Sequence, residues 1–365
     1  MIAALPPEAG RYLMIEARPA RLGLIAATSV IVGASFYQAC SLLGDPGGSL
    51  YRAMLWIQSL LILAYGASRV ATSISSERAE GTWELQRLTP QSSAELMLGK
   101  LLGAPVTALF AAAALLPWAL VGVLKSAELG LARVGYDYFL LACGTVLAFS
   151  AALMVSAFAD KRTGGSAAVA GGFVGFFVWK LVALNEPGRP IEFYGASIDA
   201  GHFVALSCAA LGLWAAAAAK WRIARDLLEP SGWGRLPAFI VFLYAYQLGF
   251  GARTPYAYSF LPWIACLSAA VVNPAPRESW RMFYARPAPE TLPVWVAGWV
   301  ACLAGALTVF FLGVRPDVPG LIGLERLPLL FAAFFTRDLF FLQWCRLTNS
   351  RRPEASIVAT VPSGR

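Results

Sequence analysis

The residues of this chain whose types and spacing could do chemistry are few, and most lie in one polar stretch. Ile74 to Lys100 reads ISSERAEGTWELQRLTPQSSAELMLGK and sets Glu77, Glu80 and Glu84 beside the cations Arg78 and Arg87. Charges flanking Trp83 over so short a run suit a knob that enters a groove on a soluble partner. A second acidic group, Glu186, Glu192 and Asp199, falls in Asn185 to Gly201, which reads as a solvated loop with a short helix. A third feature is Arg337 with Asp338, adjacent within an apolar run. At the centre of a bilayer each would cost about 2.5 to 3.5 kcal/mol. They are either a functional intramembrane pair facing a cavity, or the start of an interfacial helix that Trp344 anchors once the hydrocarbon segment ends near Phe335.

Other chemistry is excluded by what is missing from the sequence. The single histidine, His202, cannot build a metal site alone, and it reads as a capping or packing residue. The six cysteines, Cys40, Cys143, Cys208, Cys266, Cys302 and Cys345, lie in or beside apolar runs without CxxC spacing and read as small hydrophobes. No metal, no cofactor and no catalytic residue is therefore assigned to this chain. It contains no G-x-x-x-x-G-K-[ST] phosphate loop: Gly99-Lys100 lacks the rest of the motif, and the glycine-rich stretch Gly164 to Gly175 is apolar.

The elements that must carry the polar stretch are membrane helices. Of 365 residues, 58% are apolar and 14% charged, and the mean hydropathy is +0.62. Such a chain needs lipid as its main solvent, and runs such as Ala111 to Leu116 and Ala215 to Ala219 favour helix over the alternation of a barrel. Spans are expected at 22–43, 50–72, 101–123, 138–158, 165–184, 201–219, 236–252, 256–272, 293–314 and 327–345. The seventh and eighth are short, with Pro255 and Pro262 in or near the eighth, and a re-entrant hairpin is the alternative there. No cleavable leader is read in residues 1–20, so the first span should insert the chain.

Charge placement gives the orientation. With a cytoplasmic N-terminus the inside segments hold nineteen Lys and Arg and the outside segments seven, which puts both termini in the cytoplasm. The net charge of +8 is mostly this topology signal, and its basic residues are dealt out between helices rather than gathered on one soluble face, which argues against a nucleic-acid surface. The chain divides near residue 226, after the basic run Lys220 to Asp226. That gives an all-α membrane protein of about ten helices: an amphipathic segment at 1–21, a six-span core at 22–226 with its polar loop at 74–100, and about four further spans at 227–365. In the fifth span, Gly171 and Gly175 have the small-xxx-small spacing that permits close helix approach. Lys180 near its outer end should snorkel.

The polar loop has a readable local structure. Gly81 permits a left-handed turn, Thr82 is placed to cap a short helix from Trp83 to Leu88, and Pro90 stops it. Glu84 and Arg87 are spaced to pair, and Leu85 with Leu88 forms an apolar face too small for a core. Ser92 and Glu95 form a capping box that opens the helix running through Gly99 and Lys100 into the third span. A two-turn helix of this kind fits a groove on a soluble partner, or else lies on the membrane surface.

Glu77, Arg78, Glu80, Gly81, Thr82, Trp83, Glu84, Leu85, Thr89, Pro90, Gly99 and Lys100 resemble, in register, the signature loop of ABC-2 type permeases, the membrane-spanning subunits of ABC exporters. Ala79, Gln86 and Gln91 depart from that pattern at surface positions. Arg11 to Arg21 is similar to the family's amphipathic elbow helix, with Tyr12, Leu13 and Ile15 toward lipid and Arg11, Arg18 and Arg21 toward phosphates. The four C-terminal spans exceed the minimal family pattern. The resemblance implies a bacterial inner-membrane (plasma-membrane) transporter subunit paired with a second permease subunit, as homodimer or heterodimer, and with a separate ABC ATPase that binds ATP and Mg. It also implies an ATPase-coupling interface at Glu77, Arg78, Glu80, Gly81, Thr82, Trp83, Glu84, Leu85 and Arg87. The competing class is a proton- or ion-driven secondary carrier, whose expected midplane charges and inverted repeats the sequence does not display apart from Arg337 and Asp338.

Overall fold

Prolines and glycines punctuate this chain, and between them apolar residues with high helix propensity run without interruption. In the computed structural model the described residues are 6–42, 46–126, 129–158, 164–183, 190–229, 234–250, 261–272, 284–285, 294–311 and 327–349. They form α1 (Pro7–Glu16), α2 (Pro19–Ser41), α3 (Pro46–Ser59), a π-helical segment (Leu60–Gly66) and α4 (Ala67–Glu80). Next come α5 (Trp83–Arg87), α6 (Ser93–Gly103), α7 (Val106–Lys125), α8 (Leu131–Phe158) and α9 (Gly164–Ala183). Strands β1 (Pro190–Phe193) and β2 (Ala196–Asp199) precede α10 (Ala200–Asp226), α11 (Arg235–Leu248), α12 (Leu261–Val272), α13 (Val294–Phe311) and α14 (Leu327–Asn349). Among the described residues, five stretches of this helical fold are long and apolar enough to cross a membrane: Pro19–Ser41, Pro46–Glu80, Val106–Lys125, Leu131–Phe158 and Ala200–Asp226. The expected short seventh and eighth spans are helices of 14 and 12 residues.

Three elements differ from the sequence-based expectation. The second span does not end near residue 72: α3, the π segment and α4 make one rod of 35 residues, Pro46–Glu80. Its polar end stays helical because Thr72, Ser73, Ser75 and Ser76 all return their hydroxyls to carbonyls three or four residues back, which satisfies them within the helix. The polar loop proper is therefore only 81–92. The third span is broken from α6 by Ala104 and Pro105, where proline supplies no N–H to continue the ladder. The fold is not purely α: residues 190–199 form a two-stranded hairpin in place of the expected loop and short helix. Its turn uses Tyr194 (φ 50°) and Gly195 (φ 76°), the pair of positive φ values that matches strand twist. Asp199 then caps α10, accepting from Gly201 N and His202 N.

The chain forms two compact units, Met1–Ile191 with Ile198–Ser231, and Glu192–Ser197 with Gly232–Arg365. In the first, Leu63, Val70, Ile74, Leu96, Leu153 and Ile223 centre one core around the rod, and a second core joins Leu50, Tyr51, Met54 and Leu115. In the second, Ile240, Tyr244, Trp263, Cys266, Cys302 and Leu339 pack together. Cys40, Cys208, Cys266 and Cys302 are buried and Cys143 is half-buried.

Candidate functional site

Gly81 ends α4 in the left-handed region, at φ 78°, with its N–H donating to Arg78 O at 3.3 Å. A Cβ there would meet no atom within 4 Å, so the demand for glycine comes from the backbone angle and not from space. Thr82 occupies the position before α5, but its hydroxyl does not cap that helix; it donates back to Glu77 O at 3.3 Å. α5 is five residues long, stops at Arg87 and carries the Glu84–Arg87 pair at 2.8 Å. The capping box at α6 forms on both sides, with Ser92 Oγ accepting from Glu95 N and the Glu95 carboxylate accepting from Ser92 N at 2.9 Å.

The nine residues of the expected interface separate into two groups. Glu80, Gly81, Glu84, Leu85 and Arg87 are exposed and Thr82 is half-buried. Glu77, Arg78 and Trp83 are buried and turned into the chain. Glu77 and Trp83 therefore do not reach out to a partner as the sequence suggested. They organise an interior cluster in which Lys100, with a side chain fully buried, donates to Glu77 Oε2 at 2.6 Å and lies 3.4 Å from Glu8 Oε1. Arg11 bridges the same two carboxylates at 2.6 and 2.8 Å, and Gln86 donates to Glu77 at 3.0 Å. The indole of Trp83 lies between two cations, Arg78 Cζ at 5.4 Å and Lys100 Nζ at 5.8 Å from the ring centroid. Two acids against two bases leave the cluster neutral, which is what permits its burial.

α1 enters this cluster because α6 presents glycines to it. A Cβ on Gly99 would sit 2.5 Å from Glu8 Cβ, and one on Gly103 2.7 Å from the Tyr12 ring. Tyr12 thus packs on protein, half-buried, which corrects its assignment to the outer face; Arg11 is exposed while reaching Glu8 and Glu77, and Ile15 is exposed together with Met14. Burial raises the Tyr12 phenol, and Glu77 and Glu8 add to that. Burial works against the Arg11 charge, yet Glu8 and Glu77 more than offset it and its pKa lies above the ordinary value. At the other end of α1, Glu16 accepts from Arg69 at 3.2 Å, from Thr107 at 3.4 Å and from Arg21.

The end of α10 closes the opposite side. Arg78 donates to Ala157 O at 2.8 Å and pairs with Asp226. Glu229 accepts from Ser93 N at 2.8 Å and Ser93 Oγ at 2.6 Å, giving α6 a second cap that lowers the Glu229 pKa. Ser156 Oγ accepts from Ile74 N and Ser75 N at 3.0 and 3.2 Å, which fastens α4 to α8. Glu8, Asp226 and Glu229, and Lys100 as an ion partner, are the site residues that sequence reasoning did not single out. The one available signal was a lysine between two glycines four apart, Gly99-Lys100 and Gly103, on an otherwise apolar helix.

The remaining candidates lie elsewhere. A Cβ on Gly175 would fall 1.6 Å from Leu63 O and one on Gly171 2.3 Å from Ala71 Cβ, so this face of α9 packs on the π segment and α4. Arg337 and Asp338 are exposed on α14 and pair with each other at 2.7 Å. The side chain of Lys180 and residues 185–189 lie outside the described residues. Among the described residues no cluster of His, Cys, Asp or Glu could hold a metal ion.

The sequence profile described as ABC-2 family transporter protein matches residues 15–219, more than half of the chain. The chain belongs to the ABC-2 transporter family. Membership makes it a multi-pass membrane protein and the membrane subunit of an ABC transporter, a class that works with an ABC ATPase subunit, and it displaces the reading as an ion-driven carrier. No curated protein and no solved structure gives a match. In this ABC-2 subunit the matched stretch contains the whole of α2 to α9 and the polar loop, while Glu8 and Arg11 precede it and Asp226 and Glu229 follow it.

Proposed function

We propose that this ABC-2 subunit is the transmembrane half of an ATP-driven exporter, that it receives force from a separate ATPase through α5, and that it works beside a second permease subunit. The observation that carries this is the division of the polar loop. Its outer rim offers Glu80, Glu84, Arg87 and the apolar pair Leu85 and Leu88, which are 65% and 82% exposed. Its inner side is fixed by buried charges to α1, α4, α6 and α10. An exposed leucine pair ringed by charge fits a groove on a soluble protein, and a rim so anchored can pass a displacement to the helices rather than absorb it. ATP and Mg belong to the partner, since this chain has no phosphate loop. The proposed arrangement is ten spans, six in the core and four beyond it, in a bacterial inner membrane with both termini cytoplasmic, as the Lys and Arg distribution supports.

The test is co-purification of the subunit with its ATPase after Leu85→Asp and Leu88→Asp. Both side chains are exposed, so insertion and yield should be unchanged while the stoichiometric ATPase is lost. Retention of a fully coupled ATPase by the double variant would refute the docking role of α5, and recovery of the wild-type chain as a lone ion-coupled carrier would refute the whole reading.

A further inference from the structure

The first unit contains a cavity of about 190 Å³ far from the loop. Tyr51, Arg52, Trp56, Arg133, Asp137 and Trp179 give it its character, and Leu55, Leu140 and Leu141 complete an apolar wall. Tyr51 and Glu77 stand on the same helical rod about 26 residues apart, which is about 39 Å at 1.5 Å per residue. That separation is close to the thickness of a bilayer with its headgroups, about 40 to 45 Å. If the loop faces the ATPase, as proposed above, the cavity lies at the opposite headgroup level.

Its charge is unbalanced. Two arginines and one aspartate line it, and the aspartate is already engaged: Arg133 Nε lies 3.0 Å from Asp137 Oδ1 and Tyr51 Oη donates to Oδ2 at 3.0 Å. Arg133 keeps its outer guanidinium nitrogens and is 45% exposed, while Arg52 is exposed and donates through Nε to its own helix at Gly48 O, 3.3 Å away. Opposite the charges, Trp56 meets Trp179 edge to face, with centroids 4.7 Å apart; Trp179 is buried and Trp56 49% exposed. The deep end is polar again at Ser59, one residue before the π segment begins.

We propose that this cavity binds an anionic amphiphile, with its phosphate or carboxylate head on Arg52 and Arg133 and its apolar body along Trp56 and Trp179. Guanidinium forks match the planar or tetrahedral oxyanion, and a single net positive charge selects for an acid over a neutral or zwitterionic head. The indoles supply an apolar wall that accepts a chain or a flat ring without demanding one shape. The inference rests on the transmembrane reading given above, but its test needs no ATPase.

The test uses the full chain in nanodiscs of zwitterionic lipid and measures equilibrium binding of radiolabelled dodecyl phosphate. Saturable binding is expected, weakened about tenfold or more by Arg52→Ala and by Arg133→Gln, and largely kept by Arg133→Lys. Trp56→Ala should weaken dodecyl phosphate without affecting folding, because that indole is half-exposed. Arg337→Gln, in the second unit, is the control for unspecific attraction and should leave binding unchanged. Competition separates the sources of the anion. Dodecyl carboxylate should displace the probe, whereas inorganic phosphate and dodecyl maltoside should not. Displacement by inorganic phosphate at the same concentration would replace the amphiphile with a simple anion and overturn the proposal. Equal displacement by the maltoside, or binding unaffected in Arg52→Ala, would overturn it too, and would leave these side chains as interfacial anchors. Amphiphile binding by a wild-type chain that recovers no ATPase would refute the coupling reading alone.

Discussion

Lys100 carries the sharpest prediction, because a fully buried ammonium cannot be removed without consequence. Its Nζ lies 2.6 Å from Glu77 and 3.4 Å from Glu8. With an effective dielectric constant near 20, the nearer contact corresponds to about 6 kcal/mol of attraction and the farther to about 5 kcal/mol. Desolvation of the three charged groups and repulsion between the two carboxylates consume most of this, so the intact cluster adds little net stability. Breaking it is a different matter. In Lys100→Met the methionine fills the same space, but Glu8 and Glu77 are left with Arg11 as their remaining cation in the cluster, and loss of one partner from a buried pair costs about 3 to 5 kcal/mol. The double change Lys100→Met with Glu77→Gln removes one charge of each sign and should recover at least half of that loss. Unfolding in mixed micelles, followed as the denaturing detergent is titrated in, reads both quantities, with the wild type and both single variants completing the cycle. A Lys100→Met protein as stable as wild type, or a double variant no better than the single, would refute the account of a buried lysine held by two carboxylates.

Two further outcomes follow from the loop. Gly81→Val must place a β-branched residue at φ 78°, costing about 1 to 3 kcal/mol locally, while a Cβ there meets no neighbour. The chain should insert normally but lose partner-stimulated ATP hydrolysis, and undiminished coupling would count against a fixed angle at this turn. The caps of α6 give a pH signature: Ser92 N–H and Oγ lower the Glu95 pKa, and Ser93 Oγ and N–H lower that of Glu229. For carboxylates held below their unfolded value near 4.3, the stabilisation is complete above that value and is lost as pH falls through the lower folded values. Hydrogen exchange corrected for intrinsic rate should therefore show the first turn of α6 equally protected at pH 7 and pH 5.5 and frayed near pH 3, with fraying already at pH 5.5 as the contrary result.

What the sequence made legible, and what it hid, follows from contact range. The capping box Ser92–Glu95, the Glu84–Arg87 pair and the left-handed Gly81 are all settled within four residues, and each stands where the residue types placed it. The cluster is assembled from partners 66, 92, 136 and 148 residues apart, Arg11 with Glu77, Glu8 with Lys100, Ser93 with Glu229 and Arg78 with Asp226. Nothing local distinguishes Glu77, which is buried, from Glu80, which is exposed at the last residue of the helix; residues three apart lie on nearly the same face, and only the packed fold says how far along it the cover extends. Likewise Leu60–Gly66 is an ordinary apolar run, and its π geometry has no sequence mark. The hairpin at 190–199 escaped because its turn is Tyr194–Gly195 rather than the asparagine or aspartate with glycine that announces such turns.

The inward group also decides how a push on α5 would travel. The covalent link from α5 to α4 is Gly81 and Thr82, which fixes the angle at which α5 leaves the rod but is a single strand of backbone. The stiff links are the ones that bypass it. Trp83 is held between Arg78 and Lys100, Arg78 is tied to Ala157 O and Asp226, and Lys100 is tied through Glu77 and Glu8 to α1. In the coupling proposed above, a displacement of the exposed leucine face would reach α4, α6, α8 and α10 through Trp83 and its two cations. Along α4 it arrives at the π segment, where Leu63 O already faces Gly175 at a distance that leaves no room for a Cβ. Tight packing at that point makes small shifts costly, so the rod and α9 must move together or exchange one packed arrangement for another. On the proposed reading, then, the exposed rim would choose the partner and the buried charges would determine whether the partner's movement is transmitted.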